Sequence, residues 1–163
     1  MRKIKKFFND LKRWFSYYKI CKNIYDWDYT SILEVERHQL KRVRDNILKY
    51  HHHVYWDYDV RNINIALNLL AIILGEDDIC EQISGNIIFK DIGSGLYELT
   101  SSCKYKLTKY VNTKNANRFV NNYMIEQFDN PDTGPLFIED YRQEKAWKLY
   151  HKLRVEHLRE FWD

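Results

Sequence analysis

Three consecutive imidazoles, His51, His52 and His53, precede two carboxylates, Asp57 and Asp59, and a further pair, Glu34 and His38, lies upstream at i,i+4 spacing. Imidazole and carboxylate are the groups that hold divalent metals and activate water on them. Neighbouring residues of a helix point about 100° apart, so the three histidines cannot all face one ion from a regular helix. The set that the spacing allows is His38, His53, Asp57 and Asp59, with His53 and Asp57 one turn apart. No His-Glu-x-x-His, Glu-x-x-His or His-Asp signature accompanies it. A metal-dependent hydrolase therefore ranks behind the two binding readings below, and no cofactor is expected. The Asp-x-Asp pairs Asp26/Asp28 and Asp57/Asp59 would suit a magnesium ion on a nucleotide, but both precede expected helices, where Asp caps free N–H groups. The serines and the three cysteines have no nucleophile elbow or paired base nearby, so no catalytic residue is assigned.

Binding chemistry is better represented. Between Tyr50 and Asn62 the chain collects four aromatic rings, three imidazoles, two carboxylates and a guanidinium. Tyr, Trp and Arg dominate interface energetics, which makes Tyr55, Trp56, Tyr58 and Arg61 the expected partner anchors. An alternative is nucleic-acid or nucleotide binding by the N-terminal cations Lys3, Lys5, Lys6, Lys12 and Arg13 with Lys114, Asn115, Asn117 and Arg118. Asn-rich segments also build turns from their own amides, and the two uses of residues 112–119 weigh about equally.

These residues need a scaffold. Ile4, Phe7, Phe8, Leu11, Trp14, Phe15 and Tyr18 recur every three or four positions and predict an amphipathic helix over about 3–19. Its aromatic stripe is expected to pack on the body, leaving the basic face in solvent. A helical core over about 31–74 follows, opened by a Ser31-x-x-Glu34 capping box and carried by Leu33, Leu40, Val43, Ile47 and Tyr50. Its second helix, about 60–74, is apolar nearly all round, is capped by Asp57 or Asp59 and stops at Gly75. A small β element spans about 86–111: two strands around Gly93-Ser94-Gly95, and a third where Cys103, Tyr105 and Leu107 alternate with polar residues. A helix over 103–111 stays open as an alternative. Residues 112–137, rich in Asn, Asp, Pro and Gly, read as a loop, and Asp140 caps a C-terminal helix to about 161. The fold class is mainly α (α+β): one domain of about four helices with a hairpin or three-stranded element in the middle.

Composition fits that frame. The chain of 163 residues is 45% hydrophobic and 30% charged, which excludes wholesale disorder. Net charge is +3, yet residues 1–22 hold eight Lys/Arg against Asp10 alone, a segment of +7 on a body of about −4. Three scattered cysteines argue against a disulfide framework or zinc-thiolate site and for a reducing cytoplasm. Neither a signal peptide nor a transmembrane segment is expected. The sequence carries no signal for an oligomeric state.

The basic aromatic N-terminus running into Tyr25-Asp26-Trp27-Asp28-Tyr29, the segment Tyr110 to Phe119, and the stretch from Ala146-Trp147 to Phe161-Trp162-Asp163 resemble small tailed-bacteriophage proteins that end in an aromatic-Trp-Asp tripeptide. The resemblance spans most of the chain and carries over no catalytic residue. It implies a viral origin and expression in the host bacterial cytoplasm, and indicates no reaction. The aromatic load then leads us to expect a non-enzymatic phage accessory protein that binds a host or viral macromolecule, most readily a host or phage protein, for host takeover or counter-defence.

Overall fold

Apolar residues at helical spacing build the first three long helices in a computed structural model of the chain: α1 (Arg2–Cys21), α2 (Tyr29–Tyr50) and α3 (Trp56–Ile73). Four strands follow, β1 (Cys80–Ser84), β2 (Ile87–Gly93), β3 (Leu96–Ser101) and β4 (Lys104–Leu107). After them come a single 3-10 turn (Ala116–Arg118), a short α4 (Asn122–Glu126) and a long α5 (Gly134–His157). The structure describes residues 2–22, 29–51, 54–85, 87–93, 96–101 and 103–158, with only the backbone at 2–3, 87–93 and 96–101. The protein is mainly helical with a small antiparallel β component, as its periodicities lead one to expect.

The chain divides into two compact units: residues 1–70 with 153–163, and residues 71–152. In the first, Leu33, Leu40 and Ile47 of α2 are buried at seven-residue spacing, together with Ile63, Ala66, Leu67 and Leu70 of α3 and with Leu158. Each full burial of such a side chain stabilises by roughly 1.5–3 kcal/mol. Arg154 Nε lies 2.8 Å from the buried Glu36 carboxylate, so the charge that α2 carries inward has a cation beside it.

In the second unit, Ile79, Ala116, Tyr141, Ala146 and Tyr150 are buried. Gly75 ends α3 at φ +71, with Glu76 N–H donating to the Ala71 carbonyl (2.9 Å) and Gly75 N–H to that of Ile72 (3.1 Å). This is a Schellman closure, and an L side chain at that φ costs on the order of 1 kcal/mol. The expected hairpin strands pair as β2 and β3, Phe89 opposite Leu99; the turn residues Ser94 and Gly95 lie outside the described residues.

Several expectations need correction. The third strand forms as β4, not as a helix, but it pairs with β1, a strand with no forewarning in the sequence, so two separate two-stranded ladders replace one three-stranded element. α2 begins at Tyr29, two residues before the expected Ser31 cap, and Ser31 sits in its first turn. α3 begins at Trp56, so Asp57 and Asp59 also occupy a first turn, where carboxylates oppose the positive end of the helix dipole. The expected loop 112–137 holds the 3-10 turn and α4, and α5 starts at Gly134 and not at Asp140. Pro135 in the first turn of α5 has its φ set for helix and needs no N–H partner there, whereas its composition had suggested a loop. The Asp-x-Asp pair at 26 and 28 and the terminal Phe161-Trp162-Asp163 lie outside the described residues.

Candidate functional site

The corner between α2 and α3 is set by an unusual backbone. His51 follows the last residue of α2 in the left-handed region, φ 47, with its N–H donating to the Ile47 carbonyl at 2.8 Å. Helices end this way, but glycine is the usual residue, and a side chain there costs about 1 kcal/mol. What the imidazole gains is a partner: its ring lies flat on the Trp56 indole, centroids 4.4 Å apart and planes at 15°. The indole is thereby half-buried, while Tyr55 beside it is 73% exposed and Val54 90%. One turn on, Tyr58 meets His157 edge-on at 6.0 Å, its hydroxyl 3.4 Å from the imidazole Nδ1, and still shows half its surface. Arg61 is exposed three residues further along the same face. The four expected anchors therefore share one corner: Tyr55, Tyr58 and Arg61 project outward, and Trp56 is the flat base fixed by His51. His52 lies outside the described residues.

Three of the four residues of the chelating set are described. His38 is half-buried under α1, where its Nε2 is 2.7 Å from Ser16 Oγ and its ring meets Tyr17 edge-on at 5.0 Å. Asp57 and Asp59 stand on the first turn of α3, and His53 lies outside the described residues. Among the described residues no three His, Cys, Asp or Glu groups converge as metal ligands.

Burial holds the His38 imidazole below its ordinary value of 6.5, with Arg42 and then Lys41 adding to the effect. The crevice it occupies is further lined by Lys12 and Lys19. A histidine whose pKa is lowered by folding binds fewer protons folded than unfolded. Its stabilising share is complete above about 6.5 and is lost as pH falls from there through the lower folded value. Thermal melts are expected to show a midpoint that drops across this window in the wild type. The drop should flatten in His38→Asn, an amide that keeps a polar contact to Ser16 without titrating.

The face of α1 that meets α2 is not the expected one. Ser16, Tyr17 and Ile20 are half-buried on that side, and the Arg42 guanidinium lies over the Tyr17 ring at 5.3 Å. The ring face compensates Arg42 Nη1, which is buried without a hydrogen-bond partner among the described residues. Ile4, Phe7, Phe8, Leu11, Trp14, Phe15 and Tyr18 point away and are all exposed, Phe7 at 63% and Trp14 at 58%. The stripe does not pack on the body. Its rings lean on one another instead, Trp14 stacked on Tyr18 at 5.4 Å. Between α1 and α2 an open groove of about 580 Å³ gathers Arg13, Arg42 and Lys49 with Tyr17, Tyr50 and, among the described residues, the single acid Asp45.

The cations of the nucleic-acid alternative fall in both units. Lys5, Lys6, Lys12 and Arg13 are exposed on α1, with Arg13 paired to Asp10, and the Lys3 side chain lies outside the described residues. Lys114, Asn115, Asn117 and Arg118 are exposed around the 3-10 turn. Two flanking amides serve turns: Asn112 Oδ1 accepts from Lys114 N–H at 3.1 Å, and Asn121 Oδ1 caps α4 by accepting from Met124 N–H at 2.9 Å, while the Asn115 side chain makes no cap bond. Phe119 packs on Tyr141 at 6.1 Å with Lys145 over its face.

A polar cluster without any signature in the sequence ties the start of α5 to the segment after α3. Glu139 Oε2 accepts from the buried Ile79 N–H at 3.1 Å and Oε1 from Arg142 at 3.2 Å. Arg142 also donates to the Asp77 carboxylate and carbonyl, and Lys109 Nζ donates to Asp77 Oδ1 at 2.8 Å. The hydrogen bond from Lys109, helped by the charges of Arg142 and Lys109, holds the Asp77 carboxyl below its usual range. Every acid in this cluster faces a donor, which is the arrangement of a structural clamp and not of a proton-transfer centre. Among the described residues no helix is long and apolar enough to cross a membrane. Set against protein-family models, curated proteins and solved structures, the chain matches none of them.

Proposed function

We propose that this chain is a non-enzymatic phage accessory protein that binds a host or phage protein through the corner between α2 and α3. The observation that carries the reading is the Trp56–His51 stack, which spends a left-handed imidazole to present Tyr55 to solvent. Rigid aromatic rings lose little conformational freedom when covered, so a fixed, exposed cluster of them favours tight protein contact. The resemblance to small tailed-phage proteins supports action in the host cytoplasm, on a host process that the contact redirects or blocks. Capture from infected cells, run in parallel with wild-type protein and a variant lacking the corner rings, tests it. A partner retained equally by both removes the reading.

A second reading, binding of nucleic acid or a nucleotide, is favoured by the groove where Arg13, Arg42 and Lys49 meet one acid. Fluorescence polarisation with single- and double-stranded oligonucleotides is then expected to show affinity falling steeply with salt. No binding at the lower salt concentration removes it.

A further inference from the structure

We infer that α1 is a docking helix for an anionic lipid bilayer, lying flat in the headgroup region with its aromatic face down. At 3.6 residues per turn the exposed face, with Ile4, Leu11 and Tyr18 near its middle, covers an arc of about 120°. The rings and aliphatic chains on it leave on the order of 700 Å² of apolar surface in solvent, more than monomers ordinarily tolerate. Trp14 stands on one border, stacked on Tyr18 beside it, and amphipathic rings of this kind settle at headgroup depth. Along the other border run Lys5, Lys12 and Lys19 at seven-residue spacing, all exposed. Lysines so placed bury their methylene stems against lipid and carry the ammonium up to phosphate.

Charge and geometry select the occupant. The one acid among the described residues of α1, Asp10, is paired to Arg13 within the helix, so no unpaired carboxylate of the described helix opposes the lysine row. An antiparallel second copy would bring the two lysine rows together. Nucleic acid would leave Leu11 and Ile4 with nothing to recognise. A groove on another protein wraps more than half of a helix, whereas the opposite side of α1 is already taken by α2 through Ser16, Tyr17 and His38. A plane needs only the arc that is free. This surface is distinct from the corner at Tyr55, and neither inference depends on the other.

The test is flotation of the full chain with vesicles of phosphatidylglycerol mixed into phosphatidylcholine, against pure phosphatidylcholine. Wild type is expected to float with the mixed vesicles and much less with the neutral ones, and to be released by salt. Phe7→Glu with Phe8→Glu should weaken flotation at least about tenfold through lost apolar burial. Lys5→Gln, Lys12→Gln and Lys19→Gln together should weaken it by at least about tenfold through lost charge. Both variants alter exposed side chains, so circular dichroism and melting should match wild type. The inference is overturned by any of three results: no flotation on mixed vesicles at low salt; equal flotation on both vesicle types or by the Phe7/Phe8 variant; or a wild-type dimer or oligonucleotide complex that the Phe7/Phe8 variant dissolves while vesicles stay unbound.

Discussion

Tyr55→Ala combined with Tyr58→Ala is expected to weaken partner capture on the order of a hundredfold while moving the melting temperature by no more than about a degree or two. The size of the binding effect follows from how interfaces concentrate energy. Central aromatic residues are worth about 2 kcal/mol or more each, and two neighbours are not fully additive. The small stability effect follows from exposure. Tyr55 is largely open to solvent, and Tyr58 is held by its edge contact with His157. Trp56 would be a poorer probe, because its removal also strips His51 of the stack that offsets a left-handed backbone. A variant that melted several degrees lower with binding intact would make these rings structural.

Glu139→Ala is expected to lower unfolding free energy by about 3 kcal/mol. The substitution leaves the Ile79 N–H, in a residue 1% exposed, without its acceptor, and takes one carboxylate from Arg142. Glu139→Gln keeps an acceptor for Ile79 and should cost about 1 kcal/mol less. Denaturant titration measures both, and hydrogen exchange at the Ile79 amide should accelerate in the alanine variant before global unfolding. A loss under about 1 kcal/mol would mean that water replaces the carboxylate. The Asp77 arm of the cluster adds an acid limb. Its carboxyl is lowered by Lys109 first, so its contribution is present above the unfolded value of 3.8 and fades as pH drops through the folded one.

Much of this architecture was legible from periodicity. The repeats in 3–19, 31–50 and 60–74 are helices, and Gly75 stops the third because only a left-handed residue closes that end. Periodicity names an apolar face but not what covers it. That is why the α1 stripe read as core, while the structure seats the helix on Ser16, Tyr17 and Ile20. β1 was invisible because Cys80-Glu81-Gln82-Ile83-Ser84 is mostly polar and is made a strand by partners 20 to 27 residues away, a non-local pairing. The early start of α5 did have a signal, Pro135 in the first helical turn, masked by the Asn-Pro-Asp-Thr-Gly run before it. At the corner, the residue types suggested contact, but a histidine in a glycine's conformation leaves no trace in composition.

The most direct measurement is site-specific photo-crosslinking in infected cells, with a photoreactive phenylalanine analogue in place of Tyr55 in one protein and of Tyr110 in another. Both positions are highly exposed, but Tyr110 belongs to the second unit and Tyr55 to the first. If the corner is the docking surface, position 55 yields one dominant protein adduct and position 110 none of comparable yield. Equal adducts from both positions, or none from position 55, would contradict it.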